Sequence, residues 1–167
     1  MSERRIDAGV GMRVHQLIGF CLANGVDAGA AARAMFAADP LGGTLMSSVR
    51  TRCSSATAQY LARCRPQGWD LVGYEEQVGR ARADLVWAGS DPWRVLIDEI
   101  KTGVADADDP RLLGQIARLL AGGARLWGDA FVGVRVIPLA SPRRAWLTAP
   151  GPRRPEILRL PESLEVR

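Results

Sequence analysis

The chain of 167 residues has one lysine, Lys101, and one histidine, His15; the other 21 of its 22 basic residues are arginine. The scarcity of lysine fits a genome that favours arginine codons; against that background a remaining lysine is a candidate for a place where only a compact ammonium fits or where the pKa must move, with chance survival as the alternative. Cysteine is scarce as well. Cys21, Cys53 and Cys64 are an odd number with no C-x-x-C pair, which argues against a disulfide framework or a zinc site and fits a reducing cytoplasm. No apolar run approaches the ~18 to 20 residues that span a bilayer, so no membrane partner is expected. The segment from Met1 to Asp7 is charged and lacks the apolar stretch of a signal peptide.

What is present is a globular composition: 47% hydrophobic and 24% charged residues exclude a disordered chain. The length suits one domain with a real core. Charge is unevenly spread. Residues 1–65 carry 8 basic and 4 acidic groups, residues 66–140 carry 8 and 11, and residues 141–167 carry 6 and 3. An acidic middle between basic ends suits a cation site that also holds a polyanion; solvated surface charge is the alternative.

Three regions follow from the patterning. Residues 1–66 read as helices. Val10, Val14, Leu17, Ile18, Cys21 and Leu22 form a helical stripe ended by Asn24-Gly25, Asp27 caps an Ala-rich second helix, and Thr44 opens a third. Residues 67–149 read as strands over Asp70–Val78, Arg80–Trp87 and Trp93–Lys101, then a helix capped within Asp106–Pro110 and weakened at Gly122-Gly123. Strands over Phe131–Leu139 and Ala145–Thr148 follow. Residues 150–167, rich in proline and arginine, read as an extended tail. The order ααα–βββ–α–ββ predicts a mixed α/β (α+β) domain.

The third strand, Val95-Leu-Ile-Asp-Glu-Ile-Lys101, mixes charges with apolar residues. Side chains alternate along a strand, so Glu99 and Lys101 share a face, and charges on a buried face need partners or a metal. Asp84 and Glu99 are equidistant from the Asp91–Pro92 junction, so a regular hairpin sets them opposite one another, with Cβ atoms ~5 Å apart. Like charges at that spacing require either protonation of one carboxyl or a bridging cation. Mg²⁺ or Mn²⁺, hard ions that prefer oxygen ligands, are the natural choice.

Asp84 followed by Glu99-Ile-Lys101 resembles the signature of the PD-(D/E)XK nuclease superfamily. Gly11-Met-Arg-Val-His15 is similar to the Gly-x-x-x-His motif of its RecB-like exonuclease branch, and Gln115 to that branch's glutamine motif. Leu119 stands where the family often has tyrosine, and Arg82-Ala83 precede Asp84 in place of proline.

The resemblance implies a restriction-endonuclease-like αβββαβ core preceded by a helical segment, and metal-assisted hydrolysis of DNA phosphodiester bonds in repair, recombination or defence against foreign DNA. His15, Asp84, Glu99 and the Ile100 carbonyl would hold Mg²⁺ or Mn²⁺. Lys101 would orient the attacking water, and Gln115 would position Lys101 or the phosphate. Glu76 is a further acidic candidate, and Asp98 competes with Glu99 to face the metal. The cysteines of iron–sulfur members are missing, so no cluster is expected. Arg50, Arg52, Arg80, Arg82, Arg143 and Arg144 are candidate DNA contacts, with solvated arginine as the alternative. A chain of this length holds no separate targeting domain, which points to a protein partner that selects the target. Two other readings stay open: an inactive nucleic-acid-binding or assembly subunit of the same fold, and a ribonuclease acting on RNA.

Overall fold

Asp27 shows how sequence becomes structure in the helical part. Its carboxylate accepts the Ala30 N–H at 2.9 Å, and its carbonyl accepts the Ala31 N–H at 3.0 Å. Together they start α2 over Ala28–Ala37. The computed structural model describes residues 3–37, 44–90, 93–151, 156–161 and 164–166, with side chains from residue 9 in the first helix and residue 47 in the third. The chain divides into two compact units, Met1–Arg63 and Cys64–Arg167. Their boundary lies near the junction expected at 66–67 within one domain.

The first unit contains α1 (Glu3–Asn24), α2 and α3 (Thr44–Arg63). The expected stripe of α1 is buried at Val10, Val14, Leu17, Ile18 and Cys21. Gly25, at φ +66°, turns the chain out of the helix. Ala28, Ala31 and Ala32 form the buried face of α2, small enough for close approach. Val49, Cys53, Thr57 and Tyr60 recur every three or four residues as the buried face of α3. Burial pushes the Cys21 and Cys53 thiols above the ordinary cysteine range, as expected of core cysteines.

The second unit is a six-stranded mixed sheet with one helix: β1 (Trp69–Val78), β2 (Ala81–Ser90), β3 (Trp93–Lys101), α4 (Pro110–Trp127), β4 (Phe131–Pro138), β5 (Trp146–Ala149) and β6 (Glu156–Leu158). Spatial order follows chain order. Among the described residues only β3 and β4 pair in parallel; the other neighbours are antiparallel. A parallel pair needs a crossover, and α4 supplies it. Asp109 caps that helix by accepting the Arg111 N–H, with Pro110 at its first position. Val86, Val95, Ile97, Val134 and Val136 from the sheet pack with Leu112, Ile116, Leu119 and Leu120 of α4. No described helix is long and apolar enough to cross a membrane.

Two expectations are refined. α4 continues past Gly122-Gly123 to Trp127. The glycines allow contact: a Cβ on Gly122 would lie 2.6 Å from the Val78 carbonyl oxygen, and one on Gly123 would enter the Phe131 ring. The tail is extended at Glu156–Leu158 and is also tied to the sheet. Glu156–Leu158 pairs with β5, and Leu164 is buried, because the edge of β5 offers a ladder and the core accepts an apolar side chain.

Candidate active site on β3

The two faces of β3 carry different chemistry. Asp98 points to one face and is fully buried. Its Oδ1 accepts Arg135 Nε at 2.7 Å, and its Oδ2 accepts Arg135 Nη2 at 2.7 Å and Trp87 Nε1 at 3.0 Å. Arg135, on the neighbouring β4, is also fully buried and donates to the carbonyls of Leu164 and Cys64. Both oxygens of Asp98 are therefore occupied by a bidentate, charge-assisted clamp. The Asp98–Arg135 pair links β2, β3 and β4, and Arg135 extends it to the Leu164 and Cys64 carbonyls.

Glu99 points to the opposite face, toward α4, and is 1% exposed. Its Oε1 accepts Lys101 Nζ at 2.6 Å and Gln115 Nε2 at 2.8 Å, while Lys101 Nζ also donates to Gln115 Oε1 at 3.1 Å. The three side chains close a triangle. Strand alternation supplies two corners and the second turn of α4 supplies the third. Lys101 keeps 30% side-chain exposure, so its ammonium is paired yet reachable from solvent.

The β2–β3 hairpin keeps the symmetry expected about Asp91–Pro92, themselves outside the described residues, from Ser90–Trp93 to Leu85–Asp98. There the ladder stops. Asp84 Oδ2 accepts the Ile100 N–H at 2.7 Å, so a side chain replaces the next backbone partner. Within a strand a residue's N–H and C=O point to the same edge, so the Ile100 carbonyl also faces the β2 side. Asp84 is 8% exposed.

The carboxylate beside Asp84 is Glu75, not the Glu76 expected from sequence. A register shift between Leu71 and Gly73 brings Glu75 opposite Asp84, between the pairs Tyr74–Leu85 and Glu76–Ala83. A carboxylate oxygen of Glu75 lies within 4.8 Å of one of Asp84. Glu75 has φ +52°, the left-handed region that non-glycine residues seldom adopt. Such outliers gather at functional sites, as do bulges that re-aim a side chain. Glu76 is exposed.

Asp84 and Glu75 bring carboxylate oxygens within 4.8 Å of one another, chemistry that fits a hard divalent cation. His15 belongs to the helical unit, half-buried on α1. Of the candidate arginines, Arg50, Arg52, Arg80, Arg143 and Arg144 are exposed. Arg82 Nε pairs with Glu75 Oε2 at 2.8 Å, which balances one charge of the acidic pair. Sequence reasoning missed Arg135 as well as Glu75. A signal for Arg135 was present: Phe131–Pro138 is apolar except for one arginine, and Asp98 is a matching charge in another apolar strand. No protein-family model, curated protein or solved structure matches the chain.

Proposed function

We propose that the protein is a metal-dependent nuclease of the PD-(D/E)XK type, RecB-like, that hydrolyses DNA phosphodiester bonds with Mg²⁺ or Mn²⁺. The Glu99–Lys101–Gln115 triangle carries this reading. Lys101 is the chain's single lysine, and it is held by the glutamate and the glutamine that the resemblance couples to it. The order helix, three antiparallel strands, crossover helix and parallel strand is compatible with the αβββαβ core that the resemblance implies, which supports the same reading.

Asp84, Glu99 and the Ile100 carbonyl would hold the cation, with Glu75 as a further oxygen donor in place of Glu76 and His15 assigned as a ligand by its sequence motif. A bound divalent ion polarises a phosphate oxygen and lowers the pKa of water. The chain's own groups do the positioning. Gln115 accepts from Lys101 and donates to Glu99, which fixes the ammonium where it can orient water and offset charge developing on the phosphate. The Ile100 N–H fixes the Asp84 carboxylate, and Arg135 keeps Asp98 on the other face.

Purified protein is assayed with Mg²⁺ or Mn²⁺ on linear duplex, circular and single-stranded DNA and on RNA, beside Lys101→Ala. Metal-dependent cleavage of DNA that the variant loses is the expected result. Cleavage of RNA alone selects a ribonuclease. No cleavage above the variant under any condition refutes the enzyme reading and leaves a nucleic-acid-binding subunit. A targeting partner is part of the proposal; affinity purification of the intact protein tests it.

A further inference from the structure

The β1–β2 turn and α4 flank an open, shallow pocket of about 360 Å³ lined by Gly79, Arg80, Arg118, Ala121, Gly122 and Arg125. Half of this lining is arginine and none of it is acidic. All three arginines are exposed. Gly79, at φ +61°, turns β1 back so that Arg80 projects beside α4. Gly122 has no side chain, so the turn can sit directly on the helix; a Cβ on Gly79 would meet the Gly122 Cα at 3.0 Å. The closeness of two glycines is what gathers arginines from separate elements.

The pocket is also aligned with the triangle on β3. Gln115, Arg118, Gly122 and Arg125 follow the helical spacing of three and four residues and therefore occupy one stripe of α4. Gln115, at the head of the stripe, bonds Lys101 and Glu99. From Gln115 to Arg125 the helix rises ~15 Å, about four steps of a nucleic-acid strand at ~3.4 Å each. Arg111 continues the stripe in the other direction and is exposed. A line of guanidinium groups longer than one phosphate fits a polyanion better than a single small anion.

We propose that Arg80, Arg118 and Arg125 form a backbone-phosphate site for a nucleic-acid strand, a few nucleotides from the phosphate presented to Lys101. The site rests on the nucleic-acid reading above and extends it to a named surface. It supplies binding held equally in ground and transition states, so its loss raises KM and leaves kcat.

The test is binding of fluorescent 20-nucleotide single-stranded and duplex DNA in EDTA, across a salt series, which separates it from cleavage. Arg118→Gln/Arg125→Gln is compared with Arg94→Gln/Arg159→Gln, a pair of exposed arginines outside the pocket that removes the same charge. Arg80→Gln is added singly. The pocket double variant is expected to bind duplex DNA about tenfold more weakly, with a log–log salt slope shallower by about 2. Arg80→Gln is expected to lower the slope by about 1. The control pair stays close to wild type, and all variants keep the wild-type melting temperature. Equal losses in the two double variants overturn the site, as does no loss in the pocket variant. Binding of inorganic phosphate or a mononucleotide but not of DNA also overturns it. If the pocket variant loses DNA binding but the wild type cleaves nothing in Mg²⁺ or Mn²⁺, the site stands and the nuclease reading falls. If the wild type cleaves and the pocket variant binds as wild type does, only the site falls.

Discussion

Asp98 and Glu99 are adjacent carboxylates on the same strand, both almost wholly buried, and they have opposite surroundings. Asp98 meets a fully buried guanidinium and an indole N–H, which engage both of its oxygens. Glu99 meets an ammonium and an amide at the margin of solvent. Burial alone therefore does not separate a carboxylate closed off by its partners from one held at the edge of solvent. What separates them is the partner: a rigid five-donor fork that fills both oxygens, or a compact, partly exposed cation shared with a second side chain.

The largest expected effect comes from breaking the closed side. Arg135→Met leaves Asp98 buried without its counter-charge, and removing one partner of such a pair costs about 3–5 kcal/mol. Chemical unfolding checks this. Adding Asp98→Leu to Arg135→Met should restore most of the loss, because the isolated charge goes with its partner. A loss below about 1 kcal/mol for Arg135→Met, judged against that range, would show that water reaches Asp98 and the face is not closed.

Breaking the open side has a different signature. Lys101→Ala should reduce cleavage about 10²–10³-fold, the scale for removing one preorganised charge donor, with a smaller drop in melting temperature than Arg135→Met, because Glu99 keeps its Gln115 bond and solvent reaches the Lys101 position. Gln115→Ala should reproduce part of that loss. A variant of either residue that unfolds the protein as severely as Arg135→Met would erase the distinction between the faces.

Gly122→Ala tests the packing that supports both. Its Cβ would overlap the Val78 carbonyl, and overpacking of this kind typically costs about 1–3 kcal/mol, read as a lower melting temperature. The smallest effect lies in the helical unit. The Ala30 N–H holds the Asp27 carboxyl below its ordinary range, aided by the Gly29 N–H and the Arg33 charge. A depressed folded-state pKa gives stability that is present above the unfolded pKa and lost as pH falls through the folded one. Asp27→Ala should therefore flatten the acid limb of stability against pH and leave the slope near neutrality unchanged. Melting temperatures from pH 2 to 7 check this.

Much of the arrangement was legible in the sequence because it depends on local period. The bounds of β3, the shared face of Glu99 and Lys101, the pairing of β2 with β3 and the stripe of α1 all follow from alternation or helical spacing, and the structure has each of them. The position of Gln115 beside Lys101 came from a motif, since it depends on how α4 crosses the sheet. Glu75 was hidden for a specific reason: the irregularity between Leu71 and Gly73 shifts β1 by one residue, and no periodic pattern reports a shift of one. The end of the hairpin ladder was hidden as well. Whether Asp84 opposes Glu99 or takes the Ile100 N–H depends on side-chain competition for a backbone donor. The glycine pair of α4 has a role that local propensity does not report, because residues that read as a weak helix end also serve a close contact.

The central claim is that a compact ammonium beside Glu99 performs phosphodiester chemistry that a guanidinium cannot. The most direct measurement is the metal-dependent cleavage rate of Lys101→Arg beside Lys101→Ala and wild type, on the same DNA and with folding verified. The account predicts that the arginine variant, conservative in charge, falls close to the alanine variant. Near-wild-type cleavage by Lys101→Arg would contradict it.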